Sequence, residues 1–306
     1  MLRFLISRLL QGIVVIYAVL IITFALQKLS PTSPFNGERN MPEEIRARQE
    51  AFYGYDKPWP EQLRRHLWNY TTLNPPASIK LIGHGVGEII SEAFPVSMSI
   101  AIPALLIALG LGIPLGAIAA LRPGTLEDRA ATIAATTGIC LPSFVLGPSL
   151  ALYFGIKLRW FNVSGWEETA DWVLPSMTLG IIYSGYIARL TRGGLRETLA
   201  QEFIRTARAK GASEPTVVMR HALKLACLPV LNFLGPTAAG LFTGSFVVET
   251  VFQIPGLGQH FVSSAMNGDQ SLSSGITAFY AALILLFNLL VDILQAALNP
   301  RISLKE

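Results

Sequence analysis

The chain has 306 residues, of which 51% are hydrophobic and only 14% charged, and its mean hydropathy is +0.47; a soluble domain carries about 25% charged residues. That balance points to a polytopic membrane protein and away from a soluble enzyme. The net charge of +4 is small and unevenly spread, so it speaks to membrane orientation and suggests no RNA- or DNA-binding module.

Six apolar segments lie at approximately 9–29, 95–121, 131–156, 173–191, 226–250 and 276–298. Each is near the roughly 20 residues needed to cross a bilayer core of about 30 Å. The first follows Arg3 and Arg8. It is longer than a signal-peptide core and has no small-x-small cleavage site, which predicts an uncleaved anchor. The polar insertion from Ser30 to Glu92 comes next, broken by Pro31, Pro34, Pro42, Pro58, Pro60, Pro75 and Pro76. Within it, Glu43 to Phe52 is long enough for a short helix, and Trp59 and Trp68 suit an interface. This insertion reads equally well as a partner-facing cap or as a structural lid.

The second segment contains Pro103, Pro114, Gly110, Gly112 and Gly116, and the third contains Gly138, Pro142, Gly147 and Pro148. Proline removes a backbone donor and glycine permits close approach, so these helices are expected to bend and to pack on protein. Such bends are either ordinary kinks or the walls of a pathway and its gate. After the fourth segment, eight basic residues from Arg189 to Lys224 stand against Glu197, Glu202 and Glu214. A short helix there, Phe203-Ile204-Arg205-Thr206-Ala207-Arg208-Ala209-Lys210, ends at Gly211, a residue suited to the left-handed position after a helix C-terminus. Arg208 and Lys210 favour the negative end of its dipole. The alanines at 207 and 209 favour a protein partner, because a lipid-binding face would carry bulky apolar residues. Glu249 closes the fifth segment, while Asn288 and Asp292 share one face of the sixth. A proton or ion relay would need more groups converging at one depth, so interhelical bonding or an interfacial position is the plainer reading.

Other chemistry is missing from the sequence. Cys140 and Cys227 lie in apolar segments with no CxxC partner, and His66, His84, His221 and His260 form no metal-binding pattern. There is no Gly-Lys dipeptide for a Walker A loop and no GxSxG elbow. Gly83-His84-Gly85-Val86-Gly87 lacks the third glycine of a dinucleotide fingerprint. Any energy source must therefore come from another chain or from a gradient. With the N-terminus inside, the inner segments hold fourteen basic residues and the outer ones ten, eight of them in the one long loop. Long loops weigh little in the positive-inside rule, so both termini are expected in the cytoplasm.

The segment Phe203–Gly211, followed by Arg220-His221-Ala222-Leu223, resembles the EAA loop of binding-protein-dependent ABC importer permeases in its dipeptide, oligopeptide and nickel form. Further blocks agree in order and spacing: Arg8-Leu9-Leu10 with Leu29 to Arg39, Leu141-Pro142-Ser143-Phe144, and Gly244 to Phe252 with Ile254-Pro255-Gly256-Leu257-Gly258. The resemblance covers essentially the whole chain and is nearest to the B-type subunits of the oligopeptide branch. Arg205 and Thr206 replace the glutamate and first alanine of the general motif. Lys224-Leu225 replaces a proline, Gly268-Asp269-Gln270 an Arg-Asp-Tyr, and Asn74 to Ser78 a Gly-Pro-Ser block.

That resemblance implies an all-α polytopic membrane protein with the type I ABC importer permease fold, six transmembrane helices and cytoplasmic termini. It divides the chain into an anchor and long periplasmic loop, 1–94, and a five-helix permease core, 95–306, which includes a cytoplasmic coupling loop at 192–225. Phe203, Arg205, Ala207, Arg208, Ala209 and Gly211 would couple to an ATPase. Phe203 would act as the apolar anchor, and Arg205 and Arg208 would pair with acids. Pro255, Gly256, Gly258 and Asp269 would form the periplasmic gate or the docking site for a binding protein. The implied partners are a second homologous permease, two cytoplasmic ATPase subunits, a periplasmic or lipid-anchored substrate-binding protein and membrane lipid. No cofactor is implied in this chain; ATP and magnesium belong to the ATPases. The implied place is the bacterial cytoplasmic (inner) membrane, multi-pass, with peptides as substrate and no catalytic or metal-binding residue in the chain. An ion-coupled secondary transporter, a nickel-complex importer and a non-transporting subunit that tethers an ATPase are the alternatives.

Overall fold

The computed structural model describes residues 2–30 and 42–298, and every regular element among them is helical. Residues 31–39 of the block matched above, together with Arg301 and Lys305, lie outside the described residues. In chain order the helices are α1 (Leu2–Leu29), α2 (Glu43–Tyr53), α3 (Trp59–Thr71) and α4 (Val86–Leu121). These are followed by α5 (Leu126–Cys140), α6 (Ser143–Lys157), α7 (Val173–Leu199) and α8 (Glu202–Ala209). The chain ends with α9 (Glu214–Ala226), α10 (Leu228–Phe242), α11 (Phe246–Phe252), α12 (Leu257–Met266) and α13 (Gln270–Leu298).

The pair α4 and α7 forms the spine, because small residues let their backbones meet. A Cβ built on Gly112 of α4 would lie 2.7 Å from the Ser184 carbonyl oxygen, and one on Gly180 of α7 would lie 2.7 Å from Ile107 Cβ. Ala104 and Ala108 on α4 and Ile187 and Ala188 on α7 are buried beside them. This is how membrane helices associate when apolar burial gives no preference for protein over lipid. Although α4 carries Pro95, Pro103 and Pro114, it continues as one helix of 36 residues.

The third and fifth apolar segments do not form single straight rods. Leu141-Pro142 separates α5 from α6 at an angle of 104°. Pro142 cannot donate to the helix ladder, and Leu141 is extended before it (φ −78°, ψ 117°). The fifth segment, expected as one run over 226–250, instead bends by 48° between α9 and α10 and stops at Phe242. Gly244 then turns the chain with φ +90°, so Glu249 belongs to the separate short helix α11. Among the described residues, three helices are long and apolar enough to cross a membrane, or five if each bent pair is one crossing. At 27 residues α7 is long enough but too polar to count with them.

Packing defines two ends of the bundle. Val86 and Ile89 at the start of α4 cluster with Leu272 and Ile276 at the start of α13, and the Gln27 amide donates to Ser273 and Ser274 at 2.9 Å each. With α2 and α3 this is the cap end. At the other, Ala120 and Leu195, late in α4 and α7, cluster with Ile204 of α8. The antiparallel packing of α1 on α13 places Arg8 3.0 Å from Asp292, toward that same hairpin end.

Candidate functional site

At the hairpin end, α8 buries one narrow stripe. Ile204 is fully buried against Ala120, Leu195, Val217, Ala222 and Ala226, and Phe203 and Ala207 pack half-buried beside it. Arg205, Thr206, Arg208, Ala209 and Lys210 face outward. The helix closes in a Schellman motif: the Gly211 N–H donates to the Arg208 carbonyl at 2.9 Å, and the Ala212 N–H donates to the Ala207 carbonyl at 3.2 Å. Gly211 has φ +83°, and a Cβ there would meet open space. Backbone conformation is what calls for glycine at this turn.

Across that turn, Arg208 grips Glu214 at the start of α9, with Nε to Oε1 at 2.7 Å and Nη2 to Oε2 at 3.2 Å. Among the described residues Arg205 forms no ion pair, whereas Arg208 is engaged within its own chain. A second ion pair stands behind the hairpin. Arg192 of α7 donates to both carboxylate oxygens of Asp128 at 2.8 and 3.1 Å, and the Gly124 N–H adds a bond at 3.0 Å. Thr125 caps α5 by accepting the Asp128 N–H, so Thr125-x-x-Asp128 is a pattern by which the sequence could have marked this residue.

The cap end is held by buried carboxylates. Asp269 caps α13 by accepting the Leu272 N–H at 3.0 Å. It also accepts the Ile79 and Lys80 N–H groups at 3.2 Å each and the Ser78 hydroxyl, which ties the cap to the last helix. Glu249 accepts the Ser97 hydroxyl at 2.9 Å and the Gln259 N–H at 2.9 Å. The Ser97 oxygen in turn accepts the Leu257 N–H at 2.9 Å, so α4, α11 and the start of α12 meet at one carboxyl group. Gly256 is needed for closeness, since a Cβ there would lie 2.5 Å from the Glu249 carboxyl carbon.

These contacts give each residue singled out in the sequence a place. Gly256, Gly258 and Asp269 are buried, while Pro255 is exposed on the loop above them. Phe203, Arg205, Ala207, Arg208, Ala209 and Gly211 form one surface element at the opposite end. Asp292 pairs with Arg8, and a Cβ on Gly235 of α10 would lie 2.5 Å from the Asn288 carboxamide oxygen, so these two polar groups are absorbed in helix packing. Ser78, Ser97, Asp128 and Arg192 were not singled out in the sequence. Ser78 and Ser97 are isolated serines with no motif around them. Among the described residues no cluster of His, Cys, Asp and Glu could hold a metal ion.

The family description "Binding-protein-dependent transport system inner membrane component" matches residues 112–304. The chain is 40% identical over 304 residues to the oligopeptide transport system permease protein OppB of Escherichia coli K12, covering 99% of each chain. It is 38% identical to the dipeptide transport system permease protein DppB of Bacillus subtilis, covering 100% of this chain and 99% of that one. An inward-facing structure of the MetNI methionine ABC transporter superposes with a TM-score of 0.57 at 17% identity, over 69% of this chain and 96% of that chain. That likeness shows the type I importer permease fold. The chain thus belongs to the binding-protein-dependent transport permeases, as a non-catalytic, multi-pass membrane subunit of an ABC importer related to oligopeptide and dipeptide permeases.

Proposed function

We propose that this chain forms half of a peptide pathway in the bacterial inner membrane and that α8 is the lever through which ATPase closure reaches it. The observation that carries this reading is the α8–α9 hairpin. Its outer face is basic and low in relief, its inner face is locked into the bundle by Ile204, and its corner is fixed by Gly211. A push on Arg205, Ala209 or Lys210 would pass through Ile204 to α4 and α7. Arg208 would meet an acidic ATPase surface while holding Glu214, and Phe203 would share its ring between its own bundle and the partner.

The hairpin end, with both termini, lies in the cytoplasm in this reading, and the cap faces the periplasm. The chain then makes six crossings, counting α7 and each bent pair as one. A second permease completes the pathway, two ATPases supply ATP and magnesium, and a binding protein docks on the cap and the loop around Pro255. In that arrangement Gly256, Gly258 and Asp269 hold the docking surface in shape from beneath. Peptide as cargo rests on the identity with oligopeptide and dipeptide permeases.

Reconstituted uptake with both permeases, the ATPases and the binding protein tests the lever. Gly211→Pro forces φ to about −65° where the turn needs a positive value. ATP-driven peptide uptake is expected to collapse while the ATPases remain bound. Unchanged uptake with bound ATPase would show that α8 is not the lever.

A further inference from the structure

The cap encloses a cavity of about 410 Å³ between the end of α1, α2, α3, residues 74–77 and the start of α13. That volume lies within the usual range for small-molecule sites, about 300–1,000 Å³. Among the described residues its lining contains two cations, Lys28 and Arg65, and no carboxylate. Those residues also include no leucine, isoleucine, valine or methionine, so they offer little to an acyl chain. Side-chain amides and aromatic rings make up most of the wall; the Gln27 and Gln62 amides donate within the chain, and Asn69 and Asn74 form no side-chain hydrogen bond among the described residues.

Both cations are held in place without an acid. The Lys28 ammonium sits 4.6 Å from the centre of the Tyr55 ring and 5.7 Å from that of Phe24. The Arg65 guanidinium rests against Gly54, where φ is +79° and a Cβ would lie 2.7 Å from Nη1, and it donates only a long 3.4 Å bond to the Phe52 carbonyl. Among the described residues neither cation forms an ion pair. The wall itself is pinned by the Tyr55 hydroxyl, which donates to Gln270 at 2.7 Å, and the Tyr70 hydroxyl, which donates to the Ser271 carbonyl at 3.1 Å.

We infer that this cavity receives the carboxylate end of a short peptide, with Lys28 and Arg65 taking the carboxylate, Asn69 and Asn74 bonding the peptide backbone and the rings accepting side chains. The cavity would then be a receiving site on the permease itself, and the inference rests on the peptide reading given above. Charge-assisted bonds suit a carboxylate, and mixed rings and amides suit variable side chains better than one fixed solute.

The test uses the assembled transporter without its binding protein, in nanodiscs of zwitterionic lipid, titrated with a labelled tripeptide as the free acid and as the C-terminal amide. The free acid is expected to bind, and the amide to bind roughly ten- to a hundredfold more weakly, the effect of losing a charge-assisted bond. Lys28→Gln with Arg65→Gln should weaken the free acid by a similar factor and leave the amide unchanged. Gly54→Ala, which displaces Arg65, should shift the free acid alone. Equal binding of acid and amide, or no effect of the double variant, overturns the inference. So does a double variant that loses only co-purified phosphatidylglycerol, since the site would then hold a lipid headgroup. Thermal shifts of the co-purified binding protein with the same peptide separate the two claims. A positive shift with no peptide binding to the permease defeats only the cavity assignment, and no shift defeats the peptide reading itself.

Discussion

The carboxylates of the cap end and the Arg208–Glu214 pair of the α8–α9 hairpin use charge in opposite ways. At the cap end, Asp269 and Glu249 are each 1% exposed and bonded by hydroxyl and backbone donors from separate elements. At the hairpin end, Arg208 and Glu214 are 42% and 61% exposed and bond chiefly to each other. A buried carboxylate whose donors come from several helices is costly to disturb, because each donor left behind loses its partner. An exposed pair contributes little to stability, so its value lies in geometry, in keeping α8 and α9 at a fixed angle. The cap carboxylates thus act as scaffolding, whereas the Arg208–Glu214 pair sits on an exposed face, with the buried Asp128 clasped by Arg192 behind it.

This contrast is sharpest at Asp269. Asp269→Ala strands three backbone N–H groups and a serine hydroxyl and should destabilise the chain on the order of 3 kcal/mol, read as a lowered melting temperature in detergent with uptake lost alongside. A Tm equal to wild type would remove the scaffolding role. Gly256→Ala comes next, since its methyl group would collide with the Glu249 carboxyl. A cost of about 1–3 kcal/mol is expected for such overpacking, and a double variant with Glu249→Ala should recover part of the loss.

The cap should also loosen with acid. His66 packs between the Phe24 and Tyr70 rings, and among the described residues its buried Nε2 has no bonding partner. Burial lowers its pKa from 6.5 to about 4. Between those values the unfolded state binds a proton that the folded state does not, so stability falls as pH drops from about 6.5 toward 4 and is unaffected by this group above 6.5. Hydrogen exchange of the cap at pH 7 and pH 5 should report faster opening at pH 5, and His66→Phe should flatten that difference. The smallest effect on stability belongs to Arg208→Ala, which should leave Tm within error of wild type while uptake falls. A fall in Tm as large as that of Asp269→Ala would erase the distinction between the two ends.

Local chemistry made part of this legible in the sequence. Gly211 ends α8 as its position predicts, and the expected helix from Glu43 to Phe52 appears as Glu43–Tyr53. The breaks were harder to read. Pro142 signals a bend, but 104° depends on where α6 packs. Thr243-Gly244-Ser245 sits inside an apolar run, so hydropathy reads through the turn that ends α10. The clasps were hidden for another reason: Ser97 and Glu249 are 152 positions apart, and Ser78 and Asp269 are 191 apart. No periodicity or spacing joins such residues. Folding brings them together through the small-residue packing of α4 on α7 and of the cap on α13.

The most direct test of the central claim is sidedness and contact at Ala209, the exposed alanine near the end of α8. With Cys140 and Cys227 replaced by serine, Ala209→Cys in the assembled importer should be shielded from an impermeant thiol reagent added outside intact cells. It should also cross-link to an ATPase subunit and block peptide uptake until the link is reduced. Labelling from outside, or an ATPase cross-link at Pro255→Cys in place of Ala209→Cys, would contradict the assignment of the hairpin end as the coupling face.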